Sequence, residues 1–536
     1  MSAPLDTTIE VHLDRPAGAY RPLWNWVGYD EPNYTTTANG RKLLRELAEL
    51  SPAPVRVRTH NLLTSGDGTP ALKWGSTNAY TEDADGNPVY DWTIIDEIFD
   101  AYVAAGVMPM VQIGFMPEAL STDAGPYQHS WTLGRDNHRD VLTTGWAAPP
   151  KSLEKWGNLV EAWARHLADR YGTETVSSWP WEVWNEPDGL YWKGSIPEFC
   201  ALYDAAARAV KRALPHARVG GPHTCGAFGN EAATTFLRAF LQHVSEAGSP
   251  LDFVAFHAKG RPVMNKDHVR MGVQKQLQDI EASLSIMSEF PTLRTLPVVI
   301  GESDPEGCAA CSARYYPQND YRNGPLYGVY LVESIMRTYE LSRRAGIEIE
   351  GAVTWAFLFE GQPYFDGFRD LATNGIDKAV LNAFRMLGML GGEWLTTSSD
   401  GHIGLEQVLQ RGIRDKPNVS AVATRDGTGV SILVWHYHDD DVPGDAAAVT
   451  VKLNGVAVSP ASVEHYRMDA DHSNAFGVWK AMGSPQHISP GDHAELEAAG
   501  QLARLDDAVS VSAEGGGLRL RMTLPRQGVS LIRVTS

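Results

Sequence analysis

Trp181-Glu182-Val183-Trp184-Asn185-Glu186-Pro187 is the stretch on which the fold of this chain turns. It is a short apolar run that ends in a carboxylate and is stopped by a proline, which has no N–H to extend a strand ladder. A second run with the same ending lies downstream, Val298-Val299-Ile300-Gly301-Glu302. Working outward, the strand-like segments are Leu23–Val27, Val55–Thr59, Met108–Phe115, Ser178–Trp184, Arg218–Gly221, Phe253–His257, Val298–Gly301 and Ala352–Phe357. Most are continuously apolar, as strands covered on both faces are.

The segments between them follow the 3.6-residue period of a helix. Ile95, Ile98, Phe99, Tyr102 and Val103 form one stripe. Trp156, Leu159, Val160, Trp163 and Leu167 form a second, with Ser152 placed to cap its start, and Leu277, Ile280, Leu284 and Met287 form a third. Gly106 and Gly346 sit where helices should stop. Strand-then-helix units favour parallel pairing through right-handed crossovers, and eight of them close a (β/α)8 TIM barrel, expected over residues 15–390. After about Leu390 the pattern becomes one of short alternating runs: Val430–Trp435, Val449–Leu453, Val463–Arg467, Leu518–Met522 and Val529–Val534. Turn clusters such as Asp426-Gly427-Thr428-Gly429 and Glu514-Gly515-Gly516-Gly517 separate them. Residues 391–536 therefore read as a β-sandwich accessory domain, which residues 1–14 are expected to join through the alternating run Thr8–Leu13.

The formal net charge of −19 argues against nucleic acid or an anionic membrane surface as partner and suits a neutral substrate. No apolar run approaches the ~20 residues that span a bilayer. The start, Met1-Ser2-Ala3-Pro4-Leu5-Asp6, lacks a basic stretch followed by an apolar one, so the expectation is a cytoplasmic protein or a mature form whose signal has been removed. Among the four cysteines, Cys308-Ala309-Ala310-Cys311 invites a zinc reading, but no second Cys or His pair stands at related spacing. A local disulfide or two plain thiols is the simpler expectation. With 16 Trp, 19 Tyr and 15 Phe the chain is well supplied with flat rings on which sugar C–H faces stack, although for any one Trp a place in the core is the better assignment.

Barrel enzymes build their sites from the C-terminal ends of the strands, where Glu186 and Glu302 fall, on the fourth and seventh segments. Alone, each is readily a helix cap or a solvated acid. Together on those strands they match the two carboxylates that cleave glycosidic bonds, one donating a proton and one attacking the anomeric carbon. Asn185 precedes Glu186, where its amide can bind a sugar 2-hydroxyl. This Asn-Glu-Pro arrangement resembles the acid/base motif of the glycosidases that carry their two glutamates on strands four and seven, and the resemblance implies Glu186 as acid/base and Glu302 as nucleophile. A charged Glu302 is expected to keep Glu186 protonated near neutral pH.

Further strand-end segments are Arg56-Val57-Arg58-Thr59-His60, Ile113-Gly114-Phe115-Met116-Pro117, Phe253-Val254-Ala255-Phe256-His257-Ala258-Lys259-Gly260 and Trp355, with Glu360 shortly after. With Asp471-His472-Ser473-Asn474-Ala475 and Trp479-Lys480-Ala481-Met482 they give a chain that resembles glycoside hydrolase family 39, in particular its bacterial β-xylosidases, over nearly its whole length. The resemblance implies a retaining exo-glycosidase that releases xylose from xylo-oligosaccharides and needs no metal or organic cofactor. It further implies that His60 and His257 hold the sugar, Asn185 binds its 2-hydroxyl, Trp355 lies under the ring and Glu360 binds its hydroxyls. Lys259 departs from the family pattern, in which many members carry Tyr; it either holds Glu302 ionised or points away. Tyr315, Tyr316 and Tyr321 are rim contacts or loop packing, and Glu182 is a candidate for a polar role inside the barrel. The rival readings are an enzyme of the same fold acting on an α-L-iduronide, an arabinoside or an exopolysaccharide, and a non-catalytic carbohydrate-binding protein. The long loops Ser121–Pro150 and Asp304–Asn323 favour a closed pocket, and the oligomeric state is left open.

Overall fold

The computed structural model describes residues 5–135, 145–455, 462–506, 509–514 and 517–535. The expected turn at Gly515-Gly516, part of the loop Ser121–Pro150 and the first four residues of the chain lie outside the described residues. Eight parallel strands close a barrel in chain order: β1 (Trp26–Tyr29), β2 (Arg56–Thr59), β3 (Met108–Ile113), β4 (Pro180–Val183), β5 (Arg218–Thr224), β6 (Phe253–Lys259), β7 (Val298–Asp304) and β8 (Ile349–Trp355). Helices return the chain between them. Ser152 caps the helix Leu153–Tyr171 by accepting from Lys155 N–H, while Gly106 and Gly346 end theirs in the left-handed conformation that a side chain would strain.

The strand ends differ from the expected ones in a way that matters for the site. β1 lies later than Leu23–Val27, while β5, β6 and β7 run on to Thr224, Lys259 and Asp304. His257 pairs in register with Glu302, and Lys259 with Asp304, so neighbouring parallel strands set these four side by side. Close approach explains Gly301: a Cβ there would lie 2.1 Å from His223 Nδ1.

The N-terminal strand Leu5–Ala19 lies inside a ten-stranded ladder, antiparallel to Glu393–Ser399 and parallel to Ala447–Asn454. The ladder is continuous and folds over itself as a sandwich. Leu518, Leu520 and Met522 share one core with Ile532 and Val534, although their strands are far apart in ladder order. Sequence reading missed the strands Glu393–Ser399 and Asn418–Asp426 and the helices Ala475–Ala481 and Pro490–Ala499. Glu393–Ser399 carries only one buried residue, Leu395, so no apolar alternation marked it. The helical pair has its own small core, in which Phe476, Trp479 and Leu496 meet Phe365 and Ile376 from the loop after β8. Among the described residues no helix is long and apolar enough to cross a membrane.

Ile9 is fully buried on the N-terminal strand between two neighbours. Ile9→Ala is expected to cost about 2–5 kcal/mol by chemical denaturation, because the cavity would open in the middle of the ladder rather than at its edge. A loss under about 0.5 kcal/mol would show that the strand is dispensable to the sandwich.

Candidate active site

Glu186 and Glu302 face one another at the C-terminal mouth of the barrel. An oxygen of each and a ring nitrogen of His257 all lie within 4.8 Å of one another. Glu186 follows β4 in a turn where Trp184 (φ +73°) and Glu186 itself (φ +41°) adopt left-handed backbone. Such conformations cost on the order of 1–3 kcal/mol each and persist where the surroundings fix them. Here Trp184 Nε1 donates to Tyr191 O at 2.8 Å and the Glu186 N–H to His223 O at 2.9 Å.

The two acids have unequal surroundings. Glu302 is 5% exposed. Lys259 Nζ donates directly to its Oε2, while Arg58 Nη1 lies 3.5 Å, His257 Nδ1 3.8 Å and His60 Nε2 3.9 Å from its Oε1. Burial alone would raise the Glu302 pKa, but Lys259, His257, His60 and Arg58 outweigh it and hold the carboxyl far below the usual range. Glu186 is more open, and among the described residues its carboxylate is held by His257 Nδ1 at 2.8 Å. Burial and the Glu302 charge push its pKa up; the His257 bond outweighs them and the net direction is down. This corrects the expectation that Glu302 alone keeps Glu186 protonated, which left out the donor supplied by β6.

Each cation around Glu302 is itself tied down. Arg58 reaches Glu182 Oε1 at 2.6 Å, Asn185 Oδ1 at 3.0 Å and Gly301 O at 3.1 Å. Because Arg58 occupies Oδ1, the Asn185 NH2 is left as the donor for a ligand. His223 Nε2 lies 2.5 Å from the other Glu182 oxygen, and burial pushes the ring down to about 4, with Glu182 only partly opposing. Lys259 also donates to Asp304 at 2.8 Å, and Asp304 accepts the Trp355 N–H at 2.8 Å. Asp30 accepts from His60 Nδ1 at 2.8 Å, from Lys73 Nζ at 2.5 Å and from Trp355 Nε1 at 3.2 Å. An ionised Asp30 only accepts, so the His60 proton belongs on Nδ1 and Nε2 is an acceptor facing the pocket. Burial and Arg58 lower the His60 pKa and favour that neutral ring. The spacing of Glu186, His257 and Glu302 would also suit a metal ion, but the Lys259 ammonium sits on Glu302 and His257 already holds Glu186.

The family description for glycosyl hydrolases family 39 matches residues 7–516 of this sequence. The chain belongs to that family. A β-xylosidase of Geobacillus stearothermophilus is 27% identical over 465 residues, 84% of this chain and 82% of that protein. Human α-L-iduronidase is 25% identical over 422 residues, 71% of this chain and 60% of that protein. A crystal structure of a monomeric β-xylosidase from Caulobacter crescentus shares the fold, with a TM-score of 0.73, 24% identity, and 98% of this chain and 99% of that one covered. This family 39 chain is thus a glycoside hydrolase.

The structure brings together Glu186, Glu302, Asn185, His60, His257, Lys259 and Trp355, and of the two readings for Lys259 it shows the one that faces Glu302. It does not join Glu360 to that network: its carboxylate accepts from Thr37 at 3.1 Å and Asn39 at 2.6 Å, at the start of the helix after β1. Tyr315 is half exposed, Tyr316 receives the Thr132 N–H, and Tyr321 is buried against Glu306, so Tyr321 is loop packing. Cys308 and Cys311 are bonded to each other. Sequence reading missed Asp30, Arg58, Lys73, His223 and Asp304. Arg58 and His60 are two residues apart on one strand face, which was the available signal.

Arg58→Met is expected to destabilise the fold by about 3–5 kcal/mol, because Glu182 and Glu302 would each lose a buried counter-charge. The same denaturation experiment on Arg21→Met, whose partner Glu348 is exposed, is expected to show a loss below about 1 kcal/mol. Equal losses would mean that the buried network is no more valuable than a surface pair.

Proposed function

We propose that this enzyme is an exo-acting retaining β-xylosidase, releasing xylose from the non-reducing end of β-1,4-xylo-oligosaccharides. The observation that carries the reading is the pair itself: carboxylate oxygens within 4.8 Å of each other, one of them held ionised. Retaining enzymes keep their carboxyl groups ~5–5.5 Å apart, whereas inverting ones leave ~6.5–9.5 Å for a water.

In this reading Glu302 attacks the anomeric carbon as Glu186 gives a proton to the leaving oxygen. Water then takes the leaving group's place, Glu186 removes its proton, and the Glu302 ester bond breaks. Asn185 donates to the 2-hydroxyl, a contact that tightens in the oxocarbenium-like transition state. His60 Nε2 accepts from a hydroxyl, and Trp355, 2% exposed and tilted against the His60 ring at 4.3 Å, shapes the floor. Two features favour exo action. Thr132 N–H donates to Tyr316 OH, so the loops after β3 and β7 meet over the mouth, and Arg135 reaches Gly361 O at 2.8 Å from the loop after β8.

A neutral sugar is favoured by the charge count. Among the described residues the buried cations here are matched: Arg58 by Glu182, Lys73 by Asp30, Lys259 by Glu302 and Asp304, and Arg369 by Asp304 and Glu306. None is surplus for a substrate carboxylate. The iduronidase relatives and the placement of Lys259 beside the acid pair support the second reading, an α-L-iduronide substrate.

A panel of aryl β-xyloside, α-L-arabinoside and α-L-iduronide, run on wild type and on Glu302→Ala with azide, separates these. We expect turnover of the β-xyloside, a loss of at least about 10³-fold in Glu302→Ala, and an azide adduct on partial rescue. Turnover of the iduronide alone would overturn the sugar. The rescued Glu302→Ala is expected to yield the singly inverted α-azide; an α-azide from Glu186→Ala, or a β-azide from Glu302→Ala, would overturn the assignment of the pair.

The pH profile supplies a further check. Because His257 lowers the Glu186 pKa, the protonated acid is lost at lower pH than it would be without that donor. His257→Ala is expected to move the alkaline limb of kcat/KM to higher pH. The acid limb should stay low, because Lys259 and Arg58 still hold Glu302 ionised. An alkaline limb that stays put or moves down would contradict this role for His257.

A further inference from the structure

An unbroken run of aromatic rings leads from the floor of the pocket to its rim. Trp355 meets His60 at 4.3 Å, His60 meets Phe115 at 5.8 Å, and Phe115 meets Tyr127 at 5.8 Å and stacks on Tyr191 at 5.6 Å. Tyr127 and Tyr191 meet His129 at 5.4 and 5.6 Å, and His129 stacks on Trp131 at 4.9 Å with the planes 12° apart. Exposure rises along the run. Trp355, Phe115, Tyr127 and Tyr191 are buried, while His129 and Trp131 are partly exposed. The loop that carries the outer rings is braced on both sides. Thr132 N–H donates to Tyr316 OH, and Gly134 packs so closely on Phe368 that a Cβ would lie 2.2 Å from that ring.

We propose that Trp131, stacked on His129, is the platform for the leaving sugar, the unit on the far side of the scissile bond; this rests on the glycosidase reading above. The direction follows from Glu186. The group that protonates the leaving oxygen marks the side on which the next sugar lies, and Tyr191, whose carbonyl accepts from Trp184 Nε1 in the Glu186 turn, meets the His129 ring at 5.6 Å. Tyr191 OH lies 3.4 Å from His129 Nε2, which ties the platform to the turn that positions Glu186. The inner rings belong to the bound sugar's own pocket and are too buried to receive a second ring. Burial pushes the His129 pKa down to about 3, so the ring under Trp131 is neutral and the pair is a flat, uncharged surface suited to a sugar's C–H face. Trp131 therefore sets a preference for substrates with a ring next to the scissile bond and contributes nothing to the bond-breaking groups.

The test compares two substrates that share the transferred sugar: the β-1,4-linked disaccharide, and the glycosyl azide, whose leaving group has no ring. Trp131→Ala is expected to lower kcat/KM on the disaccharide about tenfold, equivalent to about 1.4 kcal/mol. On the azide it should change kcat/KM less than twofold, and Trp131→Phe should recover most of the disaccharide rate. A parallel fall on both substrates, or no fall on the disaccharide, would overturn the platform. The comparison is run on whichever sugar the aryl panel identifies, so a wrong sugar changes the panel while a wrong platform collapses the contrast. Inertness across the panel would overturn both.

Discussion

A carboxylate buried at the mouth of the barrel stays ionised only if positive charge is set against it, and Glu302 imposes that demand on most of the barrel. Lys259 on β6 and Arg58 on β2 supply that charge, and the rings of His60 and His257 lie beside the same carboxylate. Each of these two cations needs a further acid, Asp304 for Lys259 and Glu182 for Arg58, while Asp30 fixes the neutral His60 ring by accepting from Nδ1. These acids are satisfied in turn by Trp355 N–H, by His223 and by Lys73. The result is a connected network of acids, cations and neutral imidazoles through nearly every barrel strand. It explains why the barrel interior, a place usually filled with branched apolar side chains, is here partly ionic. Buried ion pairs give little net stability over apolar packing; their value here is that they fix the charge and direction of Glu302.

Much of this was legible in the sequence, and the parts that were not fail for physical reasons. The two strand-end glutamates, the eight strand–helix units and the N-terminal strand could be read because burial on both faces, or on one, leaves a period in the sequence. Asp30 was lost because β1 begins and ends later than the apolar run around Trp24 implied, which placed the acid beyond the expected strand end. His223 was lost because Gly220-Gly221-Pro222 reads as a stop, whereas β5 continues to Thr224. Asp304 shares a strand face with Glu302, but the strand was ended at Gly301. Lys73 and Trp131 lie on loops, where no period relates a residue to the barrel axis. The protonation of Glu186 was misjudged for a related reason: the dominant neighbour, His257, is a cross-strand partner of Glu302 and not a sequence neighbour of either acid.

The two ends of the pocket are held by different physics. The floor is set by short ionic contacts on strands, which are rigid and directional. The mouth is set by aromatic stacking and a few backbone hydrogen bonds between loops, which tolerate changes of ligand more readily. The accessory domain bears on the mouth through its helical pair. Phe476 and Trp479 pack on Phe365, in the same loop after β8 that carries Phe368 against Gly134. The β-domain thus packs on the loop after β8 from outside, with the N-terminal strand anchoring the start of the chain within it.

The measurement that bears most directly on the account is covalent trapping. The enzyme would be incubated with a 2-deoxy-2-fluoro-β-xyloside that carries a good leaving group, then digested, and the labelled peptide sequenced by mass spectrometry. The account predicts one fluoroxylosyl group per chain, esterified to Glu302. A label on Glu186 would reverse the roles assigned from the charge network, and turnover of the ordinary aryl xyloside without any trapped adduct would contradict the covalent mechanism.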